Sequence, residues 1–130
     1  MNANLEDLSK KLYLAEKRLS LAKMASGLGI WEWNIVTSDL YWDEEMFQLF
    51  EPANWNGKVD SFFACIHPED VSAVAEALDK ANQGKGYNYK FRIITKHHVT
   101  RKIQGKGDFI EYDTNGKGTK MIGVCLLTTN

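Results

Sequence analysis

The chain has 130 residues, 44% hydrophobic and 25% charged, enough for one domain with a sizeable core. A formal net charge of −1 argues against nucleic acid or an anionic membrane as partner. No apolar run approaches the roughly 20 residues of a membrane span, and the charged N-terminus does not read as a signal peptide. The chain therefore reads as cytoplasmic, either free or as the cytosolic part of a longer membrane-anchored protein. Charge is uneven: residues 38–60 hold six acids against Lys58, and residues 84–120 hold nine bases against three acids. Two solvated surfaces of opposite sign account for this. Cys65 and Cys125 sit in apolar runs, which predicts buried, reduced thiols and no disulfide framework.

The first predicted element is an amphipathic helix over residues 4–25, with Asn4 and Asp7 as its N-terminal cap pair. Leu5, Leu8, Leu12, Ala15, Leu19 and Ala22 alternate in steps of three and four, a heptad seam. Leu14, Leu21 and Ala25 lie on another face. Two apolar faces predict that this helix packs on its own domain and on a second copy, with Leu5, Leu8, Leu12 and Leu19 as dimerisation residues. Ser26-Gly27-Leu28-Gly29 ends the helix, since glycine tolerates the left-handed cap conformation.

Trp31, Trp33 and Ile35 alternate along a strand over 29–36, and a second short strand follows at Leu40–Trp42. Asp43-Glu44-Glu45 opens a short helix that Pro52 ends. Phe62, Phe63 and Ile66 form another helical turn. Pro68 fits the first position of a helix to about residue 83, with Val71, Val74, Ala75, Leu78 and Ala81 as its stripe. Strands are expected at Tyr87–Thr95, Val99–Phe109 and Thr119–Thr128, with a turn over 113–118. Strand pairs at both ends with helices between imply an antiparallel α+β domain.

Four segments in this order carry a resemblance: Gly29-Ile30-Trp31-Glu32-Trp33-Asn34, His67-Pro68-Glu69-Asp70, Tyr89-Lys90-Phe91-Arg92-Ile93 and Gly123-Val124-Cys125-Leu126-Leu127-Thr128. Over residues 28–129 the chain resembles a PAS domain of the bacterial sensor type. The resemblance implies a five-stranded antiparallel sheet with short helices over one face, preceded here by the amphipathic helix. It divides the chain into a dimerisation helix, 1–27, and a sensory domain, 28–130. It also implies a homodimer and a histidine kinase, diguanylate cyclase or similar output domain on the same polypeptide. The chain departs from the pattern at its end, where Leu126-Leu127-Thr128 replaces the family's Asp-Ile-Thr. In the family that aspartate sits where the signal leaves the domain, so another coupling route is expected.

Among cofactors, haem is disfavoured because residues 68–83 lack the histidine that haem-binding members supply there. Covalent flavin is disfavoured because Cys65 lacks the surrounding sequence of the light-sensing members. No metal set is expected, since His97-His98 lies in a turn and His67 marks a helix start. Trp31, Trp33, Phe47, Phe50, Phe63, Tyr89 and Phe91 either fill the core or line a pocket for a small apolar ligand. Arg92 is the polar candidate beside them, expected to pair with Glu32 rather than with a ligand. Catalysis is not expected. His67 with Asp70, or His98 with Glu111, supplies an acid–base pair without nucleophile, metal or phosphate loop. The rival readings are a structural dimerisation module without ligand and a small α+β enzyme with an apolar cleft.

Overall fold

A computed structural model describes residues 2–83 and 86–128. Its elements run α1 (Asn2–Ser26), β1 (Gly29–Asn34), β2 (Leu40–Trp42), α2 (Glu44–Phe50), α3 (Val59–Cys65), α4 (Val71–Ala81), β3 (Tyr87–Ile94), β4 (Thr100–Tyr112) and β5 (Gly118–Leu127). The strands form one antiparallel sheet in the order β2-β1-β5-β4-β3. This is the α+β architecture expected from the sequence. The first and last strands lie side by side at its centre, with Gly29 opposite Cys125. The chain therefore enters β1 and leaves β5 at the same end of the sheet.

One face of the sheet carries the core. Met46 and Phe50 of α2, Cys65 of α3, and Val74 and Leu78 of α4 pack over Trp31, Phe91, Ile93, Ile103 and Met121. Asp43 accepts a hydrogen bond from the Met46 amide at 3.0 Å and caps α2. At the other end of α2, Arg101 donates to the carbonyls of Gln48 and Leu49 and pairs with Glu51 at 2.7 Å. A cation at a helix C-terminus complements the helix dipole.

Each edge strand of the sheet is tied at one point to the segments that flank the helices. The Leu40 amide of β2 donates to the Gly57 carbonyl. Along β3, the Arg92 amide donates to Asp70, and the Arg92 carbonyl accepts from the His67 amide.

Several boundaries differ from the sequence expectation. α1 begins at Asn2, so Asn4 lies inside the helix rather than capping it. Residues 4–22 are all exposed, including Leu14 and Leu21, so the second apolar face does not pack on the domain. β1 ends at Asn34 because the Asn34 side chain accepts from the amides of Val36 and Thr37 and bends the chain. Residues 68–70 form a turn and α4 starts only at Val71, because Asp70 gives its carboxylate to Arg92 instead of capping the helix. Ala75, expected on the buried stripe, is exposed. Gly84 and Gly86 suit the end of the helix expected to run to about residue 83; α4 ends at Ala81, and Gly84 lies outside the described residues.

Candidate functional site

The inner sheet face is shaped by a row of residues that register across all five strands. Trp42 of β2 faces Trp31 of β1, which faces Gly123 of β5, then Gly107 of β4, then Tyr87 of β3. Directly opposed residues share a face. The two glycines make a shallow trough, and the Trp31 indole lies across it. A Cβ at Gly107 would come within 2.6 Å of that ring, and a Cβ at Gly123 would collide with it too. Trp31 thereby reaches Tyr87 from the far side of the sheet, ring centroids 6.4 Å apart in an edge-on arrangement. The neighbouring row repeats the theme: Gly29 faces Cys125, which faces Gly105, which faces Tyr89.

Over this floor lies an internal cavity of about 30 Å³. Trp31, Trp33, Leu40 and Trp42 line it from β1 and β2, and Tyr87, Phe91 and Cys125 from β3 and β5. Met46, Val59, Phe62 and Leu78 close it from the helices. Beside it, Trp42, Phe47, Phe50 and Trp55 form a dense aromatic cluster, with Trp42 and Trp55 centroids 4.4 Å apart.

The wall contains no charged side chain, and two of the residues that line it carry a stranded polar atom. Among the described residues, Trp33 Nε1 and Tyr87 Oη are the buried side-chain atoms without a hydrogen-bond partner. Each such group costs about 1–3 kcal/mol if left unpaired. Burial pushes the Tyr87 phenol well above its usual range, so it stays protonated. Burial raises the Cys125 thiol and pushes Cys65 up to about 11, so both remain thiols at neutral pH.

Of the candidates named from sequence, Trp31, Trp33 and Phe91 meet at the cavity. Phe50 is fully buried beside Phe62 and Phe91, Phe47 joins the aromatic cluster, and Phe63 packs on Phe62. Tyr89 lines a separate surface groove between α4 and β3. Arg92 does not pair with Glu32. β3 and β1 are separated by β4 and β5, and Glu32 sits 3.8 Å from Lys120 on its own neighbour strand. Arg92 instead holds Asp70 at 2.8 Å and Glu69 at 3.0 Å. The Arg92 guanidinium keeps the Asp70 carboxyl at about 2. Cavity residues passed over in the sequence include Leu40, Trp42, Met46, Val59, Phe62, Leu78, Tyr87 and Cys125.

Neither acid–base pair lies at the cavity: His67 and Asp70 share one turn, where the Asp70 amide donates to the His67 carbonyl and the Asp70 carboxylate is taken by Arg92. His98 and Glu111 are exposed, and His67 Nδ1 accepts from the Glu69 amide away from the cavity. Among the described residues no group of three or more His, Cys, Asp or Glu gathers into a metal-binding cluster. Likewise, no described helix is long and apolar enough to cross a membrane.

Leu5, Leu8, Leu12 and Leu19 of α1 are 43–66% exposed. The helix is tied to the domain at its last turns. Lys23 Nζ lies 2.7 Å from Asp43 and 2.8 Å from Glu45, and the two carboxylates hold its pKa up at about 12. Asp43 is also the cap of α2, whose Met46 walls the cavity.

An antiparallel sheet with an apolar chamber under short helices, and a bare helix at the end where the chain enters, defines a sensory module. The chain belongs to the PAS family: the family model described as PAS fold matches residues 39–125. It is 27% identical over 110 residues to the probable diguanylate cyclase DgcE of Escherichia coli (strain K12), covering 83% of this chain but 10% of that protein. A sensory box histidine kinase/response regulator from Burkholderia thailandensis E264 superposes with a TM-score of 0.72 at 23% identity, over 86% of this chain and 85% of that one. The N-terminal domain of a diguanylate cyclase with PAS/PAC sensor from Marinobacter aquaeolei gives 0.65 at 18% identity, over 77% and 94%. The chain is thus a PAS domain related to the sensor domains of signalling proteins.

Proposed function

We propose that this domain pairs with a second copy through α1 and biases an output domain on the same polypeptide, on the cytoplasmic side of the cell. The regulated activity is a diguanylate cyclase or histidine kinase, in line with the relatives. The domain itself regulates and does not catalyse. The carrying observation is Lys23. It joins the solvent-exposed leucine seam to Asp43, and through Asp43 to the helix that walls the cavity.

In this reading a small molecule in the cavity shifts the population between two dispositions of α1 on the domain. That route uses the N-terminal helix and does not need the aspartate that Leu126 replaces. A cavity of about 30 Å³ is an order of magnitude below a typical cofactor pocket. This favours a small guest over haem or flavin. Cys65, moreover, is not among the cavity residues.

Light scattering after size exclusion tests the pairing. A dimer that Leu12→Asp with Leu19→Asp converts to a folded monomer is the expected result. A wild-type chain that stays monomeric at high concentration overturns it. Native mass spectrometry of freshly purified protein separates this reading from a ligand-free scaffold, which would dimerise with no bound molecule at any stage.

A further inference from the structure

The outer edge of β3 is only half occupied. We infer that Asn88–Lys90 takes an extended segment of a partner protein as a sixth strand, one in which acidic residues alternate with small apolar ones.

Three observations carry it. First, β3 pairs with β4 in unbroken register from Tyr87 to Ile94, so its backbone groups alternate between β4 and the open side. Arg92 shows which residues point outward. Its amide donates to Asp70 at 2.8 Å, and its carbonyl accepts from the His67 amide at 2.9 Å. By the same alternation the amides and carbonyls of Asn88 and Lys90 point away from β4. Among the described residues nothing meets them on that side. A row of unpaired donors and acceptors on an edge strand is a template for another strand.

Second, α4 leaves room beside this stretch. Ala73, Ala77, Ala81 and Tyr89 line an open groove of about 350 Å³ along Gly86–Tyr89. An added residue opposite Tyr89 would send its side chain to this face, where the alanines suit a small apolar group. Glu76 on the rim is already paired with Lys80 at 3.0 Å.

Third, residues opposite Asn88 and Lys90 would project from the other face, where charge complementarity selects acids. There Asn88 faces Lys106, Lys90 faces Gln104 and Arg92 faces Lys102. Lys90 therefore has Lys102 and Lys106 as diagonal neighbours, and all three are exposed. Among the described residues no carboxylate pairs with any of the three. Carboxylates on an added strand would neutralise lysines that repel one another in the free domain. Two outward residues make a short strand, so the capture is weak and reversible.

The test uses the whole chain labelled with ¹⁵N and a blocked Glu-Val-Glu-Val-Glu peptide at millimolar concentration. The Asn88 and Lys90 amide protons should move downfield in a saturable way and exchange more slowly with water. Methylating a peptide nitrogen that faces β3 should weaken binding about three- to tenfold. Lys90→Glu should weaken it by a similar factor and leave thermal stability unchanged, since Lys90 is exposed. A Lys-Val-Lys-Val-Lys peptide should not bind.

If the acidic peptide binds equally well after methylation, or moves only the lysine signals, the strand claim fails and the lysines are a nonspecific anion surface. An oligothymidylate of similar length that binds these lysines more tightly would give the face to nucleic acid and overturn the inference. If the Asn88 and Lys90 amides of the free chain become protected as its concentration rises, a second copy fills the edge, which overturns it too. No shift with any peptide does the same. The methylated peptide needs no altered protein, so the result stands however Lys90→Glu folds.

Discussion

Helices α1 and α4 are both written with leucine, alanine and spaced charges, yet they end in opposite surroundings. α4 buries Val74, Leu78 and Ala81, all at 8% exposure or less, against the sheet. α1 leaves every residue from 4 to 22 in solvent. Periodic apolar residues state that a helix has a partner. They do not state whether the partner is in the same molecule. The stripe of α4 is satisfied within the domain, whereas that of α1 stays in solvent.

Identical insults to the two helices should sharpen this contrast most. Val74→Asp places an unpaired charge at a fully buried site and should cost about 3–5 kcal/mol in urea unfolding. Leu12→Asp, assayed on dilute monomer, should stay within about 0.5 kcal/mol. Equal losses at both sites would erase the distinction. Gly123→Ala comes next, expected to cost about 1–3 kcal/mol by forcing Trp31 and the Lys106 carbonyl aside. A neutral result in thermal melts would mean that the trough under Trp31 yields more easily than its geometry indicates. Asp43→Ala should remove about 1 kcal/mol of cap stabilisation from α2 and also release α1.

The smallest effects come from pH, and the two anchors respond differently. Lys23 has a folded pKa of about 12 against an ordinary 10.5. Its contribution is complete below 10.5 and is lost as pH rises through 12. The Arg92 guanidinium, raised further by Asp70 and Glu69, keeps its charge there and α4 stays fixed. Fluorescence anisotropy of a dye at Ser9 should therefore fall in base, and Lys23→Met should already show the fall at neutral pH. Acid acts on α4 through Asp70, whose stabilisation is present above 3.8 and lost as pH falls toward 2. Asp70→Asn should remove that segment of the acid unfolding curve.

Most elements were legible because their signals are local. The alternation of Trp31 and Trp33, the acids that start α2 and Gly27 after α1 are each read within a few residues. What escaped was set by register and topology. Arg92 was assigned to Glu32 because both sit on strands, but two strands intervene, and Asp70 reaches the open edge of β3 instead. Gly107 and Gly123 look like weak points in strands until β5 is placed between β1 and β4. Only then do they become the bed for Trp31. Tyr87 was passed over for the same reason, since its meeting with Trp31 spans four strands.

The anchoring of α1 at Lys23 has a mechanical side. From Asn2 to Lys23 the helix extends about 32 Å at 1.5 Å per residue. Pivoted at Lys23, such a rod turns a tilt of about 5° into a displacement of about 3 Å at its free tip, roughly half a helical turn. Movements at Asp43 too small to disturb the sheet would thus arrive at the far leucines as a sideways swing of several ångströms.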